Sequence, residues 1–247
     1  MRRAILSNLF FVFLLLLCVS HSVEAGRPLN TDDAGVVTPK TLEVEFAYEH
    51  VNSVDNENNL SLVLTTGLFD SLDVGVEIPY QFIDVNNSDN QNGVSDISLT
   101  TKWNVYSDED LFDATLSFNY KSDNGNDEMS LGTGEREYTI LAIISKEISD
   151  VAIHFNLGPT IVLNGDDVIN YNIASQWSVA ETLSLAGELF GSHNFQDGFD
   201  DNSLSTLFGF IYEFNEKVVC DLGFTFGISD ADPDFKVTTG VTIAFGD

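Results

Sequence analysis

The chain is poor in basic residues, prolines and cysteines. Lys and Arg total 10 against 39 Asp and Glu in 247 residues, a formal net charge of −29. That balance repels nucleic-acid phosphates and argues against a nucleic-acid partner. It favours solubility and says nothing about fold. There are two cysteines. Cys18 lies in the leader described below, so Cys220 has no partner for an internal disulfide. His50, His154 and His193 are far apart in sequence, and no zinc-ligand spacing occurs. No serine motif accompanies His154, so a catalyst is not expected. Neither a cofactor nor a metal is implied. After the leader, no apolar run is long enough for a membrane-spanning helix.

Residues 1–25 read as a signal peptide. Arg2 and Arg3 give a basic start, and Leu9 to Val19 is an apolar run of signal length. Val23-Glu24-Ala25 offers a small-residue cleavage point before Gly26. Removal of Arg2, Arg3 and Glu24 takes Lys+Arg from 10 to 8 and Asp+Glu from 39 to 38, a mature charge of about −30. Residues 26–40 form a polar lead-in. Residues 41–247 hold the remaining pattern and read as one domain.

That pattern is alternation. In "TLEVEFAYEHV", Leu42, Val44, Phe46 and Tyr48 share one face, opposite Glu43, Glu45, Ala47 and Glu49. In "LDVGVEIPYQF", Leu72, Val74, Val76, Ile78, Tyr80 and Phe82 oppose Asp73, Glu77 and Gln81. Period two at such length predicts strands. The pattern recurs about twelve times, in segments near the ten residues of a tilted membrane strand. Short connections (Asp70-Ser71, Ser149-Asp150, Asn215-Glu216) alternate with longer ones (Asp84 to Gly93, Ser122 to Glu135, Ser192 to Asn202).

This rhythm predicts an all-β fold: a transmembrane antiparallel up-and-down β-barrel with periplasmic turns and long, acidic outer loops. Aromatics fall into two groups, Tyr48, Tyr80, Phe82 and Tyr120 towards the loop end, and Phe69, Trp103, Trp177 and Phe245 towards the turn end. Two such rings match aromatic girdles. A soluble sandwich or lipocalin-like barrel also alternates, but needs a second apolar set inside. Here the second face carries charge, asparagine and glycine. The expected location is the Gram-negative outer membrane, with membrane lipid and the barrel-insertion machinery as partners.

The stretch Arg27-Pro28, then Thr31-Asp32-Asp33-Ala34-Gly35, then the first strand, resembles the start of the family named for the MetA pathway of phenol degradation. The resemblance implies an outer-membrane transporter, and the family name implies aromatic compounds among its solutes. Members usually end at or beside an aromatic; here Phe245 is followed by Gly246-Asp247.

The polar phase supplies the candidate lining of a pore: Glu43, Glu45, Asp73, Glu77, Lys102, Lys121, His154, Glu188 and Asp221. A conduit so lined admits small solutes and favours cations over anions. The competing reading is a filled, non-conducting barrel with a structural or surface-binding role, because about twelve strands enclose only a modest bore. Asp230, Asp232 and Asp234 alternate as in a calcium loop but lack its glycine and final glutamate. Asn30, Asp32 and Asp33 are read as Asx-type turn residues entering the first strand, with no chemical partner in view; the alternative is a segment tucked into the inner mouth of the barrel as a constriction.

Overall fold

The computed structural model describes residues 26–52, 56–84, 90–195 and 202–246. Thirteen strands are present among them: β1 (Leu42–Asn52), β2 (Asn56–Phe69), β3 (Leu72–Asp84), β4 (Gln91–Val94), β5 (Ser98–Ser107), β6 (Asp113–Lys121), β7 (Glu137–Ile148), β8 (Val151–Val162), β9 (Val168–Ala180), β10 (Leu183–Asn194), β11 (Ser203–Asn215), β12 (Val218–Gly227) and β13 (Phe235–Phe245). Each pairs antiparallel with its neighbours, and β1 pairs with β13 from Leu42↔Phe245 to Asn52↔Phe235. The sheet therefore closes on itself. Closure gives the strands a partner on each side, apart from the short β4, which pairs with β3 alone among the described residues.

The barrel has twelve staves. The fourth is broken: the outer half of β3 pairs with β4 and its inner half with β5. The sequence pattern assigned residues 91–93 to a loop. Only four residues long, β4 carries too little alternation to register as a strand. Asp96, in the break, is buried and accepts backbone N–H groups from Gly125 and Thr133, each at 2.8 Å. It clamps the long β6–β7 connection to the wall.

Exposure is inverted relative to a soluble protein. Leu42, Phe46, Ile78, Leu99, Phe155, Phe208 and Phe210 are exposed, while Asp73, Thr115, His154, Asn156, Glu188, Asp221 and Thr242 are buried. An apolar exterior around a polar interior suits lipid outside and water or polar chain inside. Phe69, Trp103, Trp177, Phe214 and Phe245 are exposed near the short-turn end, and Tyr48, Phe82 and Phe226 towards the other. Cys220 is a free thiol on this outer phase.

Two-residue turns join β2–β3, β7–β8, β9–β10 and β11–β12. The five-residue β5–β6 connection also lies at this end, and the other connections gather at the opposite end. Part of the acidic stretch Asp197 to Asn202 lies outside the described residues, as does the leader. In the β12–β13 loop, Asp232 accepts from Leu204 N at 2.7 Å and from Ser229 Oγ at 2.6 Å. Its carboxylate thus holds the loop to the start of β11.

Candidate functional site

Residues 26–40 do not wait below the barrel as a periplasmic lead-in. They cross its bore as a strap. Thr31 and Ala34 are almost wholly buried, at 1% and 0% exposure. The expectation of a simple turn ahead of β1 is corrected by the contacts that follow, in favour of the alternative, a constriction inside the barrel. A chain with this many unpaired backbone groups is stable inside a barrel only if the wall supplies partners, and it does.

The strap begins against β10–β13. Arg27 bonds Thr238 and pairs with Asp221 at 3.5 Å. Pro28 lies over Gly209 and Gly223, which face each other in the β11–β12 register. A side-chain carbon at those glycines would come within 2.5 and 2.8 Å of Pro28. Leu29 packs on the small buried cluster Ala186, Ile211 and Val219. Glu188, midway along β10, accepts from Asn30 N at 2.9 Å and Asn30 Nδ2 at 3.3 Å, and also from the N–H and hydroxyl of Thr31.

The strap then reaches the far side. Lys102 on β5 pairs with Asp32 at 2.8 Å and Asp33 at 3.7 Å. β5 and β11 stand six staves apart in a ring of twelve, so the strap spans the diameter. Ala34 N donates to Ser145 Oγ at 2.8 Å, and Ala34 O accepts from Asn104 at 3.1 Å and Thr115 at 2.6 Å. Val37 N donates to Asp73 at 2.9 Å. Pro39 bridges to Gly67, whose missing side chain leaves room for the Val37–Thr38 backbone. One part of the sequence reading stands: Asp33 Oδ1 accepts from Gly35 N at 2.6 Å, an Asx-type turn.

The strap leaves one flank of the bore free. A cavity of about 1250 Å³ runs beside it, lined by Glu43, Glu45, Asp73, Glu77 and Lys102 on the wall. It extends from Lys217 and Gly246 at the short-turn end to Asn119 and Thr139. Those two residues pair two rows inside Lys121↔Glu137, the outermost pair of β6–β7. A smaller cavity of about 270 Å³ is lined by Asp33, Asp113, Ser145, Glu147 and His154.

The nine candidate lining residues therefore divide. Glu43, Glu45, Asp73, Glu77 and Lys102 border the main cavity; His154 borders the smaller one, with its Nδ1 2.8 Å from Ser145 Oγ. Glu188 and Asp221 are occupied by the strap. Lys121 pairs with Glu137 at the rim, beyond the cavity. The seven residues of the motif, Arg27, Pro28, Thr31, Asp32, Asp33, Ala34 and Gly35, all belong to the strap. Missed from the sequence were Ser145, Thr115 and Asn104, ordinary polar-phase residues whose only distinguishing signal is the inward face. Gly209 and Gly223 carried a signal, glycine recurring on an inward phase, that marks close backbone approach.

Comparison with known proteins places this geometry. The family model for the MetA-pathway of phenol degradation matches residues 25–245. No curated relative matches the sequence. An outer-membrane channel from Pseudomonas putida F1 superposes with a TM-score of 0.74 at 16% identity, covering 88% of this chain and all of that one. The KdgM porin, in complex with disordered oligogalacturonate, gives 0.59 at 10% identity over 82% of this chain and 99% of its own. The CymD monoaromatic hydrocarbon channel gives 0.50 at 10% identity, over 85% and 89%. At these identities the likeness is one of fold, that of an outer-membrane barrel.

Proposed function

The chain belongs to the MetA-pathway of phenol degradation family, and on that premise we propose that it conducts small solutes across the Gram-negative outer membrane after export and leader removal. One observation carries the reading: the cavity of about 1250 Å³ that flanks the strap from Lys217 and Gly246 at the short-turn end to Asn119 and Thr139 on β6 and β7. The strap narrows the bore without filling it. Passage is then limited to solutes that fit between the strap and the β1–β3 and β5–β7 wall.

The family name and the fold shared with a monoaromatic hydrocarbon channel support aromatic compounds among the solutes. The lining adds a charge criterion. Glu43, Glu45 and Glu77 face the cavity without a cation partner among the described ion pairs, so neutral or cationic solutes are favoured over anions. Ser145 and His154 lie within hydrogen-bond distance, but the serine also accepts the strap's Ala34 N–H. That tie to the strap supports a structural use of the pair over a catalytic one.

Planar-bilayer conductance and liposome flux of the refolded protein test this. Benzylamine and benzoate, alike in size and opposite in charge, are expected to enter liposomes at different rates, the amine faster. Absence of both conductance and flux would instead support a second reading, a barrel held shut, for which the full set of strap bonds at Glu188 speaks.

A further inference from the structure

Gly26 lies inside the barrel, bordering the main cavity with Arg27 and Asp32. Its carbonyl accepts Leu29 N at 3.1 Å, so the strap opens with a closed turn. Arg27, the next residue, is tied to the wall through Thr238 and Asp221. Immediately upstream stands Val23-Glu24-Ala25, the expected cleavage point behind the apolar run Leu9 to Val19. The cavity wall carries the carboxylates Glu43, Glu45, Asp73 and Glu77, which an apolar run entering the bore would dehydrate.

From these placements we infer that leader removal creates a charged group within the lumen: the terminal ammonium of Gly26 is a built-in cation of the bore, paired with Asp32. A side-chain carbon on Gly26 would lie 3.8 Å from Asp32 Oδ1. The α-nitrogen is two bonds of about 1.5 Å from that point, hence within about 7 Å of the carboxylate. An α-amino group has an ordinary pKa of about 8 and is cationic at neutral pH. The local charge balance calls for it. Lys102 is a single cation between two carboxylates, Asp32 and Asp33. The ammonium supplies the second positive charge, and partial dehydration inside the barrel strengthens the attraction. Processing and strap seating are thereby one event: the strap is electrically complete only after cleavage at Ala25–Gly26.

The test uses protein extracted from outer membranes. Intact mass is expected to give a chain beginning at Gly26. Acetylation by an N-hydroxysuccinimide ester near neutral pH, mapped by peptide analysis, is expected to modify the Gly26 amine of folded protein at least about tenfold more slowly than that of unfolded protein, since reaction requires local opening. Asp32→Asn is expected to speed that labelling. Insertion of Gly-Ser-Gly-Ser between Ala25 and Gly26 carries the amine off the strap, and it is expected to label as fast as in the unfolded chain. A mature chain starting elsewhere, equal labelling of folded and unfolded protein, or an inserted amine that stays protected overturns the inference. An Asp32→Asn rate equal to wild type overturns the pairing. All these readouts are made whether or not the barrel conducts.

Discussion

Lys102 on β5 and Asp32 in the strap meet at 2.8 Å although seventy positions separate them in the chain. The lysine side chain is 12% exposed and the aspartate 34%. This pair, with Asp33 beside it, fixes the far end of a segment whose other ties to β3 and β5–β7 are hydrogen bonds, one of them to the Asp73 carboxylate.

Lys102→Met leaves Asp32 and Asp33 without their cation. Destabilisation of about 1–3 kcal/mol is expected in denaturant unfolding, less than for a fully buried pair because Asp32 keeps contact with water. The loosened strap should also raise single-channel conductance. Lys102→Arg should restore both, and a methionine variant with unchanged conductance would show that the strap is held from the other side alone.

Glu188 is the corresponding anchor at the near side. Glu188→Ala removes the acceptor for Asn30 and Thr31 and leaves two strap N–H groups unsatisfied, at a cost of about 1–3 kcal/mol each. Hydrogen exchange at Asn30 and Thr31 should speed up while exchange along β10 stays unchanged. Equal acceleration in both would mean that Glu188 supports the strand and not the strap.

The seat under Pro28 predicts a steric route to the same outcome. Gly223→Val adds atoms where a first side-chain carbon already lies 2.8 Å from Pro28 and 2.9 Å from Thr238 Cγ2. The strap must lift, at about 1–3 kcal/mol of overpacking, and conductance should rise as it does for Lys102→Met. A combined variant should gain little beyond either single change, because both release one element.

Charge selection is read from reversal potentials. Replacing Glu43, Glu45 and Glu77 together with glutamine should reduce cation preference while conductance persists. Lys121→Gln should leave selectivity near wild type, because Lys121 pairs with Glu137 beyond the cavity.

The β6–β7 loop has its own pH dependence. Arg136 bonds Asp123 and holds its carboxyl below the usual aspartate range. A folded-state pKa lower than the unfolded value stabilises the loop at pH above the ordinary aspartate value, about 3.9, and the effect is lost as pH falls through the lowered value. Limited proteolysis of this loop should therefore be flat from neutral pH down to about 5 and increase only in stronger acid, where Asp123 protonates. Arg136→Gln should abolish that acid step and raise cleavage at neutral pH towards the acid level, because the stabilisation being titrated is the Arg136–Asp123 bond itself.

The barrel was legible because its physics is local. Period-two alternation, as in Leu42 to Tyr48, assigns each residue a face without reference to any other strand. Polar residues on the second face then exclude a dry core. The turn rhythm orients the ends. The broken fourth stave was not legible, since the four residues of β4 become a strand only by pairing with β3. Nor was the loop role of Asp96, which depends on Gly125 and Thr133.

The site divides in the same way. Composition alone makes the lumen acidic, and the motif from Arg27 to Gly35 marks its segment as special. What that segment does was decided by closure of the sheet. Only when β1 meets β13 does Lys102 stand across the bore from Glu188 with the strap between them. Asp32 and Asp33, without partners along the sequence, then acquire one across the barrel. Alternation is a property of neighbouring residues and can be read from the chain. Pairing across a lumen belongs to strands brought together by the fold, and no local pattern encodes it.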